Sequence, residues 1–420
     1  MIDLDWPMIN AILLLLVGLW AAAATFNALY PFRQTALLFP SMFWSWFVIG
    51  LPGQLVFFQM ITTGVLIWFG ALEYAIGWIG LVLLIFSWLA TGFILARTRK
   101  SGDVVDTALS KADVSRSGPS VPVWRVLLSA PFRGRTVEKI RNVPFRRVAG
   151  HTIKLDIYRD KTDRTDRPVF MYIHGGGWVM GDKREQGIPL LHHMARAGWL
   201  GVSVNYRLSP GVALPDQLAD VKAGLVWIRE HAAEYGGDPS FVAVSGGSAG
   251  GNLAALVGLT ENDPRYQPGF EDADTSVQIT APVYGIYDVS NRMDVQTARF
   301  VPMLMEPLVI KAFLEDEPEK FAEMSPLDRV HPDVPPFVIS QGDRDSLAPV
   351  VEARAFVERM ENTSQERVIY MEFPGAQHIF DLGYSYQSAQ MIEGVLAVLN
   401  DEYERSRESD VATSRVDPTL

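Results

Sequence analysis

The chain contains no cysteine among its 420 residues. Disulfide bonds, thiolate metal sites and a cysteine nucleophile are therefore excluded. It also lacks a basic stripe, and its net charge of −11 argues against a nucleic-acid partner. Charged side chains are absent from residues 34–72 altogether, a stretch longer than one bilayer span. The composition thus indicates a membrane-associated protein, and any catalytic site would use residues such as serine, histidine and carboxylates rather than cysteine.

Three apolar stretches in the first hundred residues have about the length needed to cross a bilayer. They cover residues 8–29, 53–72 and 75–96. Pro52 and Gly53 interrupt the charge-free region, so residues 39–49 form either an interfacial segment or part of the same tilted helix. A signal peptide does not fit, because Asp3 and Asp5 stand where positive residues belong. We predict a helical membrane region of about three spans over residues 1–100.

The placement of basic residues indicates an orientation. Arg33 follows the first span, and Arg97, Arg99 and Lys100 follow the third. With three spans, an N-terminus outside the cell puts both groups in the cytoplasm, as the positive-inside rule requires. We therefore expect a multi-pass protein of the cell membrane whose catalytic domain is cytoplasmic.

The rest of the chain divides into three regions. Residues 101–140 are predicted to be a linker, with residues 123–128 forming either an amphipathic helix or a helix packed on its own domain. Residues 141–402 alternate strand-like runs with helical patterns, which predicts an α/β domain with a mostly parallel sheet. Residues 403–420 are charged without apolar periodicity, which predicts a disordered tail. The predicted strands are 154–158, 169–173, 201–206, 242–244, 278–283, 337–340 and 368–373.

One serine has the surroundings of a catalytic nucleophile. Residues 246–250 are Gly-Gly-Ser-Ala-Gly, between a strand-like run at 241–244 and a helix-forming run at 252–257. Strand, glycine-flanked serine and helix are the context of a nucleophile elbow, in which the glycines leave room for a strained turn. Ser248 is therefore a candidate nucleophile.

A run of three glycines follows the strand predicted at 169–173. Residues 174–178 are His-Gly-Gly-Gly-Trp, and such a loop brings backbone N–H groups close to a ligand. Acyl transfer needs donors of this kind, placed where negative charge develops in an oxyanion hole. A phosphate-binding loop is the rival interpretation, but the Walker lysine and the G-x-G-x-x-G pattern are absent there. We expect neither a cofactor nor a metal.

A serine nucleophile needs a base and a carboxylate that orients it. His378 follows the strand predicted at 368–373 through a short loop, which suits the base. Asp343 and Asp345 both follow the strand predicted at 337–340, and Asp288 is a weaker third candidate. The chain order serine, aspartate, histidine is that of the α/β-hydrolases. Spacing alone does not choose between Asp343 and Asp345.

These motifs, with Asn-Tyr-Arg-Leu-Ser-Pro at residues 205–210, resemble the hormone-sensitive-lipase-like branch of the α/β-hydrolase superfamily. That branch includes bacterial carboxylesterases and arylacetamide-deacetylase-like enzymes. The resemblance covers roughly residues 140–400 and implies the α/β-hydrolase fold for that part of the chain.

The resemblance implies Ser248 as the nucleophile, His378 as the general base and Asp345 as the orienting carboxylate. The expected protein is a membrane-anchored carboxylesterase or lipase that acts on a small-molecule or lipid-like ester. An amidase, formamidase or peptidase would use the same triad and is the alternative. A catalytically silent, membrane-anchored binding protein is the second alternative, against which the intact residue set argues.

The resemblance also assigns the oxyanion hole to the backbone N–H groups of Gly176, Gly177 and Ala249. His174 would brace the glycine loop and take no part in proton transfer. The chain departs from the family beside the nucleophile, where Gly247 stands at a position that is commonly acidic. This departure leaves the triad intact and bears on the choice of substrate.

Overall fold

The computed structural model describes residues 5–32, 37–116, 136–162, 164–296 and 300–416. Its centre is an eight-stranded sheet in the order β1-β2-β4-β3-β5-β6-β7-β8. The pairs β1/β2 and β2/β4 are antiparallel and all others are parallel, so the predicted mostly parallel sheet is confirmed. The strands are β1 Val137–Val148, β2 His151–Asp160, β3 Arg167–Ile173, β4 Leu200–Val204, β5 Gly237–Gly247, β6 Ile279–Val283, β7 Phe337–Gly342 and β8 Val368–Phe373.

Helices cover both faces of this sheet, which is why β3, β4 and β6 are buried along their whole length rather than alternately buried and exposed. Alternate residues of β3 enter two different cores: Val169 and Met171 face one, while Phe170 and Tyr172 face the other. Helices α7 and α8 pack on the first face, and α6 and α11 on the second. These helices and their neighbours are α6 Ile188–Arg196, α7 Leu214–His231, α8 Ala249–Leu259, α9 Pro318–Glu323, α10 Val350–Thr363 and α11 Tyr386–Val416.

All seven predicted strands are present, but the first strand of the sheet was not predicted. β1 is only half-buried, and its register with β2 shifts twice, after Ile140 and after Pro144. Proline inside the strand and the missing alternation remove the sequence signals by which a strand is recognised.

Four apolar helices precede the sheet: α1 Trp6–Leu29, α2 Leu38–Gly50, α3 Pro52–Trp68 and α4 Ala75–Thr98. Of the described helices, α1 and α4 are long and apolar enough to cross a membrane. A third span exists if residues 40–50 and α3, which meet at 90°, count as one. The apolar N-terminal helices are thus as predicted, while the number of about three spans stays a prediction.

Polar side chains join these helices inside the bundle. The hydroxyl groups of Thr25 in α1 and Ser87 in α4 are 2.7 Å apart and buried. The Asn27 amide donates to the Ser41 carbonyl at 2.7 Å and to the Ser45 hydroxyl at 2.8 Å, which ties α1 to α2. Small polar residues of this kind hold helices together where the surroundings are apolar.

The predicted linker is wrong for its first part, because residues 100–111 form a helix, α5 Lys100–Lys111. Val105, Ala108 and Leu109 lie on one side of it and pack into the core formed with α11. This face carries few apolar side chains among serine, glycine and charged residues, so its helical spacing was not evident from the sequence. The predicted helix at residues 123–128 lies outside the described residues.

The predicted disordered tail is also wrong for most of its length, because α11 continues to Val416. Tyr403 packs edge-on against Phe241, with ring centroids 5.1 Å apart, and Arg405 pairs with Asp401 at 2.8 Å one helical turn earlier. Charged residues that are good helix formers extend a helix without any apolar periodicity. The exact domain boundaries stay predictions.

Candidate active site

Ser248 lies in a strained turn between β5 and α8. Its φ of +61° and ψ of −123° belong to a region that residues other than glycine rarely adopt. The Ser248 N–H donates to the carbonyl of Val283 at 3.1 Å, which anchors the turn to β6. A Cβ at Gly250 would lie 2.2 Å from the Ile173 carbonyl oxygen, so the turn requires glycine there. The elbow predicted from the sequence is present in this geometry.

The structure brings Ser248, His378 and Asp345 together from three different strand ends. His378 Nε2 lies 2.8 Å from Ser248 Oγ, and His378 Nδ1 lies 2.7 Å from Asp345 Oδ2. All three residues are buried, with at most 4% of their surface exposed. In a site closed to bulk water, hydrogen bonds of this kind hold the imidazole in one orientation and one tautomer.

Asp345 and Asp343 lie in the same loop but face different partners. Asp345 Oδ1 accepts the backbone N–H groups of Leu347 at 2.8 Å and Ala348 at 2.7 Å, which aims the other oxygen at His378. Asp343 instead accepts the N–H of Gly375 at 2.5 Å, and burial raises the pKa of its carboxyl group. The contact geometry therefore favours Asp345 as the orienting carboxylate.

Asp288, the third candidate, is buried in a separate hydrogen-bonded turn. Its carboxylate accepts the N–H groups of Ser290 at 3.1 Å and Arg292 at 2.8 Å. No contact with His378 links it to the triad among the described residues. In the described part of the chain, no group of three or more histidine, aspartate or glutamate side chains could hold a metal ion.

The glycine loop lies directly beside the elbow. A Cβ at Gly175 would stand 3.0 Å from Ser248 Cβ, while a Cβ at Gly177 would meet nothing within 4 Å. In the described part of the chain, the N–H groups of Gly176 and Gly177 donate to no backbone or side-chain acceptor. Ala249 is the first residue of α8, and its N–H has no acceptor within the helix. The predicted oxyanion donors therefore remain available beside the serine.

His174 packs inside the loop rather than facing the serine. Its ring stacks on Tyr206 with centroids 4.5 Å apart, and its Nδ1 lies 2.8 Å from the Gly175 carbonyl oxygen. Burial lowers the pKa of His174 to about 4, so the ring is neutral near pH 7. A neutral, buried imidazole that donates to a backbone carbonyl fits the predicted bracing role.

The motif at residues 205–210 holds this loop in place. The Tyr206 hydroxyl donates to the carbonyl of His174 at 3.0 Å. Arg207 binds the carboxylate of Asp220 in α7 through two hydrogen bonds, of 2.7 and 3.0 Å. These contacts connect the glycine loop to α7, so the motif has a structural function rather than a chemical one.

Gly247 departs from the family because other side chains occupy the space beside it. A Cβ there would lie 2.8 Å from the Tyr284 hydroxyl and 3.1 Å from the Tyr172 hydroxyl. Tyr284 donates a short hydrogen bond to Asp381, three residues after His378. The chain thus lacks an acid immediately before Ser248 and has a buried acid, Asp381, shortly after His378.

Sequence reasoning missed Gln377, Tyr284 and Asp381. Gln377 Oε1 accepts the N–H of Ser346 at 2.7 Å and that of His378 at 2.8 Å, so it joins the loop of the acid to the loop of the base. None of the three residues belongs to a local motif. Only the position of Gln377 immediately before the base offered any signal.

Comparison with known proteins shows the family of the chain. The BD-FAE family model matches residues 155–360. The chain is 36% identical over 413 residues to "Probable carboxylic ester hydrolase LipM" of Mycobacterium tuberculosis, covering 93% of each chain. The chain belongs to the hormone-sensitive-lipase-like esterases of the α/β-hydrolase superfamily.

Other esterases match a shorter part of the chain. "Esterase LipQ" of Mycobacterium tuberculosis is 41% identical over 253 residues, 60% of each chain. Among solved structures, "Thermogutta terrifontis esterase 2 phosphonylated by sarin" superposes with a TM-score of 0.53 at 25% identity, covering 64% of this chain and 95% of that one. The protein is a carboxylic ester hydrolase.

The two candidate carboxylates allow a direct test within the same loop. We expect Asp345→Asn to lower kcat for a p-nitrophenyl ester by roughly 10³- to 10⁴-fold, because the amide would favour the wrong imidazole tautomer. Asp343→Asn is the matched control, and about threefold or less of kcat should be lost. An amide oxygen there still accepts the Gly375 N–H, and the 3.8 Å contact with the half-buried Arg97 contributes little. A larger loss in Asp343→Asn than in Asp345→Asn would reverse the assignment.

Proposed function

We propose that this esterase is a membrane-anchored serine hydrolase that cleaves carboxylic esters through an acyl-enzyme intermediate. The main support for the proposal is a pair of hydrogen bonds at His378. Its Nε2 lies 2.8 Å from Ser248 Oγ, and its Nδ1 lies 2.7 Å from Asp345 Oδ2. It is supported by the free backbone donors beside the serine. The apolar N-terminal helices support the anchor.

In the first step, Ser248 Oγ attacks the carbonyl carbon of the ester while His378 Nε2 takes its proton. The carbonyl oxygen becomes an oxyanion, which accepts hydrogen bonds from the N–H groups of Gly176, Gly177 and Ala249. The C–O bond to the alcohol then breaks, and the alcohol leaves with the proton from His378. Asp345 stabilises the imidazolium throughout and stays ionised.

In the second step, water attacks the acyl-enzyme. His378 takes a proton from the water, the same backbone donors hold the second oxyanion, and the Ser248–acyl bond breaks as the proton returns to the serine oxygen. The products are the carboxylic acid and the free enzyme. No contact within the described part of the chain favours an amide over an ester substrate, and the two relatives named above carry the names of ester hydrolases.

Replacing the nucleophile should remove the activity. Ser248→Ala should lower kcat for p-nitrophenyl butyrate by a factor on the order of 10⁶. Ser245→Ala is the control, because Ser245 Oγ in β5 donates to the Ala281 carbonyl at 2.7 Å and does not touch His378. A fluorophosphonate probe should label the wild type and Ser245→Ala but not Ser248→Ala. Retention of most ester hydrolysis by Ser248→Ala would contradict the proposed nucleophile.

The proposed orientation places both termini of the catalytic domain in the cytoplasm. A fluorescent protein fused to the C-terminus should therefore fold and fluoresce in a bacterial host, whereas alkaline phosphatase fused there should be inactive. The physical reason is the basic cluster after α4, which resists transfer across the membrane. Active alkaline phosphatase at this position would show that the catalytic domain lies on the other side.

A further inference from the structure

The membrane helices contact the catalytic domain at the loops that carry the triad. The Arg97 guanidinium, near the end of α4, lies 3.8 Å from the Asp343 carboxylate. The Arg344 guanidinium lies 6.0 Å from the ring of Tyr30, at the end of α1. Both contacts are within two residues of Asp345. The same end of the helical bundle therefore meets the loop after β7.

Helix α2 meets the loop after β8, which carries His378. A Cβ at Gly383 would lie 3.4 Å from the indole of Trp46, which is ordinary contact distance. Met42 is buried in the same apolar cluster as Ile379 and Phe380, the two residues that follow His378. The carboxyl edge of the sheet, where the reaction takes place, thus faces the membrane helices.

The direction of α2 fits a helix that lies in the membrane surface. Residues 40–50 meet α3 at 90°, so α2 runs along the bilayer when α3 crosses it. Met42, Ser45 and Val48 are buried against the protein, while Phe43 and Phe47, one turn apart, are 45% and 40% exposed. A helix with one face on protein and exposed phenylalanines on the other is suited to insert into the boundary between headgroups and acyl chains.

We propose that the enzyme takes its ester from the bilayer, and that the substrate is an amphiphile whose acyl chain reaches the triad along α2. This rests on the proposed serine esterase function. An ester in the leaflet is concentrated in the plane that α2 occupies, and each methylene of its acyl chain favours the membrane over water. A water-soluble ester reaches the same serine without using α2.

The test compares two esters with the full-length protein reconstituted in phosphatidylcholine vesicles. One is p-nitrophenyl butyrate in solution, and the other is p-nitrophenyl palmitate in the vesicle membrane. The variant Phe43→Ser with Phe47→Ser should lose roughly tenfold or more in kcat/KM for the palmitate, since two apolar contacts with the leaflet are removed. Its activity on the butyrate should stay within about twofold, which also reports correct folding.

The control is Phe86→Ser with Leu89→Ser, two side chains of α4 that are 63% and 71% exposed. This variant should hydrolyse both esters as the wild type does. Equal losses on both esters, an unchanged rate on the palmitate, or a palmitate loss as large in the control would overturn the role of α2. Butyrate hydrolysis that survives Ser248→Ala would instead contradict the proposed triad, so the two failures are distinguishable.

A second inference rests on separate contacts, those behind His378. Asp381 is 2% exposed, and its Oδ1 accepts the hydroxyl of Tyr284. The Tyr284 ring lies 4.7 Å from the imidazole of His378, measured between centroids. Among the described residues, Asp381 Oδ2 and the hydroxyl of Tyr172 have no hydrogen-bond partner. A buried carboxylate so placed needs a charge or a donor near it.

The geometry points to Tyr284 and Asp381 as a positioning pair for His378, in place of the acid that is missing at position 247. The Tyr284 ring limits the tilt of the imidazole, and the Asp381 carboxylate stabilises the imidazolium formed when Ser248 loses its proton. Burial raises the pKa of Asp381, and the Tyr284 hydroxyl and the charge of His378 oppose that rise.

Three titratable groups from neighbouring elements interact with the charge of this pair. They are Tyr172 from β3, Asp345 from the loop after β7, and His378 from the loop of Asp381 itself. Asp381→Asn removes one negative charge, so the protonated imidazole becomes less favourable. The acidic limb of the kcat/KM profile should move to lower pH, and kcat should fall about tenfold with KM unchanged.

Tyr284→Phe keeps the ring and removes the hydroxyl group that lowers the pKa of Asp381. The buried Asp381 carboxyl group should then bind a proton more readily and lose its negative charge, so the acidic limb should move in the same direction. Tyr172→Phe is the control, because the Tyr172 hydroxyl donates to nothing among the described residues, and its profile should match the wild type. If Asp381 and Tyr284 had only a structural role, these substitutions would lower the melting temperature without moving the acidic limb of the kcat/KM profile. An unmoved limb, or one that moves to higher pH, in both Asp381→Asn and Tyr284→Phe overturns the proposal.

Discussion

His378 reaches both Ser248 and Asp345 only while the loops after β7 and β8 stay joined. The N–H of Arg344 donates to the carbonyl of Ala376 at 3.0 Å, and Gln377 bridges the two loops through one side-chain oxygen. A misplacement of about 1 Å in such a constellation costs rate even when every residue is present. The apolar N-terminal helices contact these same two loops, so the proposed membrane anchor and the proposed proton path depend on the same contacts.

Much of the catalytic fold could be predicted because it depends on local patterns. Strands β3 and β6 are short, mostly apolar and buried along their whole length, as expected for a parallel sheet that is covered on both faces. Elements whose structure depends on a packing partner distant in the sequence could not be predicted. Among the described residues, β1 is an irregular edge strand that pairs only with β2. The apolar face of α5 is buried by packing against α11 and its neighbours. Neither partner could be inferred from the segment itself.

In the site, the serine and the histidine were predictable because each follows a strand in a recognisable loop. Spacing could not decide between Asp343 and Asp345, for which only the family resemblance favours Asp345, since two residues in one loop differ in the direction of their side chains. That direction follows from backbone donors: Leu347 and Ala348 turn Asp345 toward the base. The positions of such donors depend on the three-dimensional course of the loop and cannot be inferred from composition or spacing.

The packing at Gly247 depends on Tyr284, and the burial of Tyr284 depends on Asp381. The Tyr284 hydroxyl occupies the space that a Cβ at position 247 would need, so only glycine is compatible with it. A buried tyrosine hydroxyl in turn needs an acceptor, and the Asp381 carboxylate is the group that provides it. An acid placed at position 247 would therefore displace Tyr284 and leave Asp381 buried without its donor, which costs more than a single lost contact. The family departure beside the nucleophile is thus tied by packing to an acid three residues after the base.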